Sequence, residues 1–191
     1  MDLITVDFET YYDRDYSLRK LTTEAYVRDP RFEVIGVAVK VNDGETEWAS
    51  GTHEQLKRYL EAFHWEEAMV LCHNTMFDGA ILNWRFGICP RMYTDTLCIA
   101  RALHGTEARA SLAALSERYN LGIKGTEVVR ALGKRRGDFG PVDLAEYGDY
   151  CINDVDLTYK LFSRMARQFP KQELRLIDAT LRMFTEPTLD L

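Results

Sequence analysis

Cysteine is scarce in this sequence, and its four cysteines do not form close pairs. Cys72, Cys89, Cys98 and Cys151 lie far apart along the chain, and no Cys-x-x-Cys motif occurs. This spacing argues against both a zinc site and a disulfide framework. We therefore expect reduced thiols in the core of a cytoplasmic protein, or in the host cytoplasm if the protein is viral.

Long hydrophobic runs and targeting signals are also missing. No apolar stretch approaches the ~20 residues that are needed to cross a bilayer. The N-terminus has no basic segment followed by an apolar one, so a secretory signal is not expected. The sequence therefore predicts a protein without a membrane partner.

Positive charge is in deficit, because the net charge is −6 and the pI is about 5.3. This balance argues against a protein that coats nucleic acid through a broad basic surface. It still allows an enzyme that holds one end of a strand in a local site. The 191 residues, of which 46% are hydrophobic, are enough for one domain (1–191) with a full core.

The chain contains no internal repeats and no low-complexity tract. Patterns rich in β-branched residues predict strands at 2–7, 33–41, 45–49, 69–72 and 92–94. Helical spacing, with Thr52 and Gln55 as a capping box, predicts helices at 52–63, 76–86, 96–103, 110–119, 143–167 and 171–185. The turn Asn42-Asp43-Gly44 predicts an antiparallel hairpin. We expect an α/β fold with a mixed sheet of about five strands and a helix-rich C-terminal half.

Two carboxylates stand one residue apart at the end of the first predicted strand. In a β-strand, Asp7 and Glu9 point to the same face and present their oxygens side by side. Like charges this close are costly unless a cation lies between them, and Mg²⁺ and Mn²⁺ prefer carboxylate oxygens. A solvated strand end is the alternative explanation.

A second polar segment follows the predicted strand at 69–72, where ligands gather in α/β sheets. It contains Asn74 and, four residues later, Asp78. Asp78 could also be explained by the dipole of the helix that begins here, and Asn74 by the N-cap position.

A third segment lies within the predicted helix at 143–167. Tyr150 and Asp154 are four residues apart, so they share one face of that helix. Taken alone, an amphipathic tyrosine and a surface aspartate would explain the pattern. Asp149 and Asp156 fall on other faces and are expected to be solvated.

Together, the D-F-E-T, N-x-x-x-D and Y-x-x-x-D motifs resemble the three exonuclease motifs of the DnaQ-like 3′–5′ exonucleases. The tyrosine in the third motif places the resemblance with the DEDDy subgroup, which includes the proofreading domain of family A DNA polymerases and ribonuclease D. The resemblance covers nearly the whole chain and implies a ribonuclease H-like sheet.

It also implies that Asp7, Glu9, Asp78 and Asp154 hold two divalent cations, Mg²⁺ or Mn²⁺, for hydrolysis of the terminal phosphodiester. Asp7 would bridge the ions, Glu9 and Asp154 would complete the ion with the attacking water, and Asp78 would support the other. Repulsion in the free site should raise at least one pKa. Metal binding should raise the melting temperature.

The resemblance assigns further roles to five residues. Tyr150 should orient the water, since a phenol stays protonated at pH 7. Phe8 and Thr10 match positions that touch the terminal nucleotide, partly through the backbone, and Asn74 and Phe77 match substrate-contacting positions of the second motif. Relatives commonly have tyrosine where this chain has Phe77, which leaves base stacking or core packing as its two equal alternatives.

Lys134, Arg135 and Arg136 form a short basic run in a polar loop. They could contact the phosphates of a strand, although a solvated loop is the commoner meaning of such a run. His73 adjoins the second motif and receives no role.

The expected substrate is the 3′ end of single-stranded DNA. Residues 181–191 resemble the segment that leads into the polymerase domain of phage-type family A polymerases, so residues 171–191 could begin such a connection. A polymerase domain in the same chain or a partner chain is then expected. The alternatives are an RNA-trimming enzyme similar to ribonuclease D, an inactive nucleic-acid-binding module, and a sugar-phosphate or nucleotide hydrolase on a similar sheet.

Overall fold

The computed structural model describes residues 1–123 and 131–187. The strands in these residues are β1 (Asp2–Thr10), β2 (Val34–Val41), β3 (Thr46–Ala49), β4 (Ala68–Cys72) and β5 (Met92–Asp95). The helices are α1 (Thr23–Arg28), α2 (His53–Leu60), α3 (Thr75–Phe86), α4 (Thr96–His104), α5 (Leu112–Arg118), α6 (Pro141–Met165) and α7 (Lys171–Thr185). Two short 3-10 helices span Trp65–Glu67 and Arg136–Asp138.

The five strands form one sheet in the order β3-β2-β1-β4-β5. The pairs β1–β2 and β2–β3 are antiparallel, whereas β1–β4 and β4–β5 are parallel. The predicted mixed sheet and its hairpin are therefore confirmed. β1 lies at the centre and is the strand where the two directions meet.

β1 runs to Thr10, three residues beyond the predicted strand at 2–7. Pairing with β2 continues past Asp7, because Glu9 is opposite Gly36 and a shift in register then places Thr10 opposite Val34. The polar residues that suggested a strand end are thus part of the strand itself. Its alternation directs Asp7 and Glu9 to one face of the sheet and Phe8 to the other.

Helices cover both faces of the sheet. On the Phe8 face, α1, α2 and α3 pack against a core that includes Ile4, Val6, Val37 and Ile81. On the other face, α4, α5 and α6 bury a second core with Leu71, Ile99, Leu115, Leu157 and Leu161. The Asp7 side of β1 therefore faces α6.

Several helix boundaries follow from local sequence. The predicted capping box of Thr52 and Gln55 is present at the start of α2, and α6 begins with Pro141 in its first turn. α3 ends at Gly87, which has a φ of 70° that favours glycine. The six-residue α1, capped by Thr22, was not predicted.

α7 packs against the edge of the sheet. The Asp178 carboxylate accepts from the Tyr93 amide at 2.7 Å, and the Trp84 indole donates to the Thr185 carbonyl at 2.8 Å. A connection from 171–191 to a polymerase domain stays a prediction, and residues 188–191 lie outside the described part of the chain. Within the described part, no helix has the length and hydrophobicity that a bilayer span requires.

Candidate active site

Asp7 and Glu9 lie side by side on β1, as their spacing predicted. One carboxylate oxygen of each, together with the Cys151 Sγ, forms a group whose atoms all lie within 4.8 Å of one another. Both acidic residues are half-buried, and Cys151 is fully buried. This cluster is the centre of the candidate site.

One stripe of α6 faces these carboxylates. Tyr147, Tyr150, Cys151 and Asp154 recur at the three- and four-residue spacing of a helix face. The Tyr147 hydroxyl donates to Glu9 Oε2 at 2.5 Å, and the Cys151 thiol donates to Asp7 Oδ2 at 3.3 Å. The carboxylates of Asp7 and Glu9 therefore each receive a hydrogen bond from α6.

The Cys151 thiol contacts the site as a hydrogen-bond donor to Asp7. Burial, followed by the charges of Asp7 and Glu9, raises its pKa well above the usual value for cysteine. Hard cations such as Mg²⁺ favour oxygen ligands over sulfur. The donors available to a cation here are thus the carboxylates.

Asp78 approaches the same strand from α3. The parallel pairing of β4 with β1 ends at Thr5–Leu71, and the first turn of α3 follows. Asp78 is only 2% exposed, and its Oδ1 accepts from the Phe8 amide at 3.1 Å. Its side chain therefore bonds the edge of β1 beyond Thr5, where β4 no longer pairs with that strand.

Burial, and next the charge of Asp7, raises the pKa of Asp78 well above the usual value for aspartate. This direction agrees with the repulsion expected for a free carboxylate cluster. It also places Asp78 within electrostatic reach of Asp7.

Asp154 and Tyr150 lie on the stripe of α6 next to Cys151. Asp154 is 6% exposed and follows Cys151 by one turn. Tyr150 is half-buried and packs against the cluster that Ile35, Ala131 and Tyr147 form. A solvated surface aspartate, the alternative for Asp154, does not fit this burial.

Asn74 is at the N-cap position of α3, but its side chain makes no capping hydrogen bond among the described residues. Asn74 is exposed, and its backbone has the left-handed conformation, with a φ of 79°, which asparagine tolerates. The buried Asp95 accepts from the Asn74 amide at 2.9 Å and from the Leu97 amide at 2.8 Å. Asp95 thus fixes the turn before α3 while it caps α4.

The other predicted substrate contacts have different surroundings. The Phe8 ring is buried and stacks on Phe86 at 5.9 Å, so a substrate contact would come from its backbone. The Thr10 hydroxyl lies 2.9 Å from that of Tyr26 in the core. The half-buried Phe77 ring lies 5.9 Å from the Tyr26 ring. Substrate contact by these residues stays a prediction.

The sequence profile of the 3′–5′ exonuclease family matches residues 1–170. The chain belongs to this family. The prediction of an exonuclease of this family is therefore confirmed. No curated protein sequence matches the chain.

Solved structures resemble the exonuclease over nearly its whole length. Brucella melitensis NrnC has 16% identity and a TM-score of 0.68, over 97% of this chain and 83% of its own. Trypanosoma brucei RNase D has 14% identity and a TM-score of 0.72, over 99% and 68%. The family B DNA polymerase of Pyrobaculum calidifontis has 16% identity and a TM-score of 0.64, over 98% and 27%. These likenesses confirm the ribonuclease H-like fold.

The basic run of the exonuclease makes ion pairs within the protein. Arg135 Nη1 lies 2.6 Å from Glu33 Oε2, and its guanidinium lies over the Tyr11 ring. Lys134 Nζ lies 3.5 Å from Asp143 Oδ2. Lys134 and Arg135 are therefore not simply solvated, and their ion pairs within the protein would compete with any contact to phosphates.

Local sequence patterns did not predict the contacts that Cys151, Tyr147 and Asp95 make around the site. Asp156, outside the site, was expected to be solvated, but its carboxylate lies 3.1 Å from the ammonium of the largely buried Lys40. The expectation for Asp156 was therefore wrong. The helical spacing of Tyr147 from Cys151 and Asp154 was a usable signal, whereas the partner of Asp156 lies on β2 and left no local pattern.

Proposed function

We propose that this exonuclease hydrolyses the terminal phosphodiester at single-stranded or frayed DNA 3′ ends, releases 5′-mononucleotides and serves in proofreading. The observation that carries the proposal is the carboxylate cluster on the central strand, with Asp7 and Glu9 oxygens within 4.8 Å and Asp78 at the strand edge. Such a donor set suits hard divalent cations.

We infer that Asp7, Glu9, Asp78 and Asp154 would hold two Mg²⁺ or Mn²⁺ ions. The raised pKa of Asp78 supports the fit, because a bound cation would relieve the repulsion that Asp7 exerts on it. When bound, such ions make water more acidic and stabilise charge on the leaving oxygen.

Tyr150 would orient the attacking water by a hydrogen bond. A phenol with an ordinary pKa of about 10 stays protonated at neutral pH, so it suits a positioning role better than that of a general base. Its place one turn before Asp154 would direct its hydroxyl to the same water.

The terminal nucleotide would contact the end of β1 and the start of α3. Asn74 is exposed and available for a polar contact, and Phe77 presents part of its ring for stacking. Phe8 and Thr10 would contribute through their backbone groups, since their side chains lie in the core.

The preference for DNA rests on the resemblance of residues 181–191 to the start of a polymerase domain. The likeness to the family B DNA polymerase of Pyrobaculum calidifontis also supports it. A polymerase domain, in the same chain or in a partner, would deliver frayed primer ends to this site.

A second candidate is an RNA 3′-end exonuclease. Trypanosoma brucei RNase D resembles this chain in fold, and Brucella melitensis NrnC has been solved with bound pGG and with bound Mg²⁺. Discrimination between DNA and RNA would depend on contacts with the 2′-hydroxyl. A binding module without catalysis is the third alternative.

One assay tests all three candidates. Single-stranded DNA and RNA of one sequence, labelled at the 5′ end, are incubated with Mn²⁺ or with EDTA. We expect stepwise shortening of the labelled DNA from its 3′ end with Mn²⁺ but not with EDTA, and release of unlabelled 5′-mononucleotides.

Asp7→Ala is the control, because contaminating nucleases would be insensitive to it. Shortening of RNA with inert DNA would favour the RNA exonuclease. Inertness of both substrates, with retained binding, would favour the binding module and contradict the proposal.

A further inference from the structure

Tyr147 makes a direct contact with the site but has no place in the proposed reaction. Its hydroxyl donates to Glu9 Oε2 at 2.5 Å, across 138 positions of sequence. The side chain is 4% exposed and lies one turn before Cys151, the residue that contacts Asp7. Tyr147 thus connects α6 to one carboxylate of β1.

The Tyr147 ring is held firmly in its position. It stacks on Phe139 with 5.4 Å between ring centroids and lies 6.4 Å from the centroid of Trp48. Well-packed aromatic rings have little rotational freedom. The hydroxyl is therefore directed at Glu9 by its surroundings on two sides.

Glycines allow α6 to approach the sheet at this point. A Cβ on Gly148 would lie 2.6 Å from the Trp48 ring, and one on Gly36 would also overlap that ring. Gly36 is the strand partner of Glu9, and Gly148 adjoins Tyr147. α6 and the sheet therefore come close together at the point where the Tyr147 hydroxyl contacts the Glu9 carboxylate.

The hydroxyl is the donor in this contact, because an ionised carboxylate can only accept a hydrogen bond. A donor to one carboxylate oxygen restricts rotation of the group without cancelling its charge, and partners of this kind orient metal-binding carboxylates.

We propose that Tyr147 is a positioning residue, which holds the Glu9 carboxylate in the orientation that binds a divalent cation. The inference rests on the proposed function, in which Glu9 is a metal ligand. The packing of Trp48 and Phe139 against the tyrosine ring keeps the hydroxyl directed at Glu9.

Tyr147→Phe tests the proposal because it removes the hydroxyl and keeps the ring. The measurement is Mn²⁺ binding by isothermal titration calorimetry, with DNA hydrolysis followed across Mn²⁺ concentrations. We expect Mn²⁺ affinity to fall by about tenfold, within the range for residues that orient metal ligands. The hydrolysis rate should recover to within about threefold of wild type at saturating Mn²⁺.

Tyr59→Phe is the matched control. The Tyr59 hydroxyl also donates to a glutamate, Glu47 Oε2 at 3.3 Å, but on the opposite side of the molecule between α2 and β3. This variant loses the same atom from a similar pair, so Mn²⁺ affinity should stay at the wild-type value.

A second variant, Phe139→Leu, loosens the ring without removing the hydroxyl and should weaken Mn²⁺ binding about threefold. It carries the test if Tyr147→Phe does not fold. If a folded Tyr147→Phe protein bound Mn²⁺ with wild-type affinity, this inference would be overturned while the proposed function remained. If Tyr147→Phe does not fold, wild-type Mn²⁺ affinity in Phe139→Leu would have the same meaning. Failure of wild-type protein to bind Mn²⁺ would instead remove the proposed function, and the inference with it.

Discussion

Asp154 and Asp156 lie two residues apart on α6 and have different surroundings. Asp156 lies 3.1 Å from the Lys40 ammonium and accepts from the Thr46 hydroxyl at 2.6 Å. Asp154 is more deeply buried, on the stripe that carries Tyr147 and Cys151 to β1. One acid is neutralised by a side chain of the fold, and the other belongs to the proposed cation site.

The comparison extends to the donors around each region. Asp156 meets a cation, whereas the Tyr147 hydroxyl, the Cys151 thiol and the Phe8 amide are neutral donors to Glu9, Asp7 and Asp78, respectively. A neutral donor orients a carboxylate and leaves its charge in place. The difference teaches that two acids of one helix can serve different ends: Asp156 ties α6 to Lys40 of β2, whereas Asp154 lies on the stripe of α6 that reaches β1.

The largest expected effect is the difference in DNA hydrolysis between variants of Asp154 and Asp156. Asp154→Asn, like Asp7→Ala, should reduce DNA hydrolysis by about a thousandfold or more, because several kcal/mol of charge stabilisation would be lost. Asp156→Asn should keep the rate within about threefold and lower stability by about 1–3 kcal/mol, since Lys40 loses its counter-charge. Rate measurements and urea unfolding of the variants check this, and equal rates for Asp154→Asn and Asp156→Asn would break the comparison.

Tyr150→Phe should have a smaller effect than loss of a carboxylate. Removal of one hydrogen bond to the water should lower the rate by about tenfold to a hundredfold and leave measurable activity. Single-turnover hydrolysis with saturating Mn²⁺ measures it. A Tyr150→Phe protein as inactive as Asp7→Ala would contradict the positioning role.

Asp78→Asn should change how stability depends on pH and metal. The raised pKa of Asp78 means that the folded state holds the proton more tightly than the unfolded state. In EDTA, wild-type stability should therefore decline as pH rises above about 4 until Asp78 has ionised in the folded protein. Asparagine keeps the acceptor for the Phe8 amide but cannot ionise.

Melting temperatures at pH 5 and pH 8 check this prediction. In EDTA, the melting temperature should fall less between pH 5 and pH 8 for Asp78→Asn than for wild type. Each 1 kcal/mol of difference in unfolding free energy corresponds to about 2–4 °C. Mn²⁺ should raise the melting temperature of wild type and have less effect on the variant. The same Mn²⁺ response in both would exclude Asp78 from the cation site.

Arg135→Ala should have the smallest effect. Its guanidinium pairs with Glu33 at a half-exposed position, so the loss should stay within about 1 kcal/mol. KM for single-stranded DNA should remain within about twofold of wild type. A tenfold rise in KM that grows with salt would instead support contact with DNA phosphates.

Features encoded by neighbouring residues were predictable from the sequence. The capping box of Thr52 and Gln55 and the shared face of Asp7 and Glu9 both appear as expected. The family's three motifs also predict site roles for Asp78 and Asp154, and both residues are buried in the fold. In each case the signal lies within a few positions of the chain.

Features that depend on distant contacts were not predictable in this way. Tyr147 meets Glu9 and Asp156 meets Lys40 only because α6 packs on the sheet. The end of β1 was placed too early because Asp7 and Glu9 are polar, although pairing with β2 carries the strand to Thr10. Tertiary pairing overrode the local pattern there.

The central place of β1 has a consequence for how the site can come apart. Interior strands with neighbours on both edges exchange their amide hydrogens last, whereas helices at the periphery open more readily. β1 has such neighbours in β2 and β4. Sub-global opening would therefore begin in elements at the edge of the sheet, such as α7, and would leave Asp7 and Glu9 together with the α6 side chains that contact them.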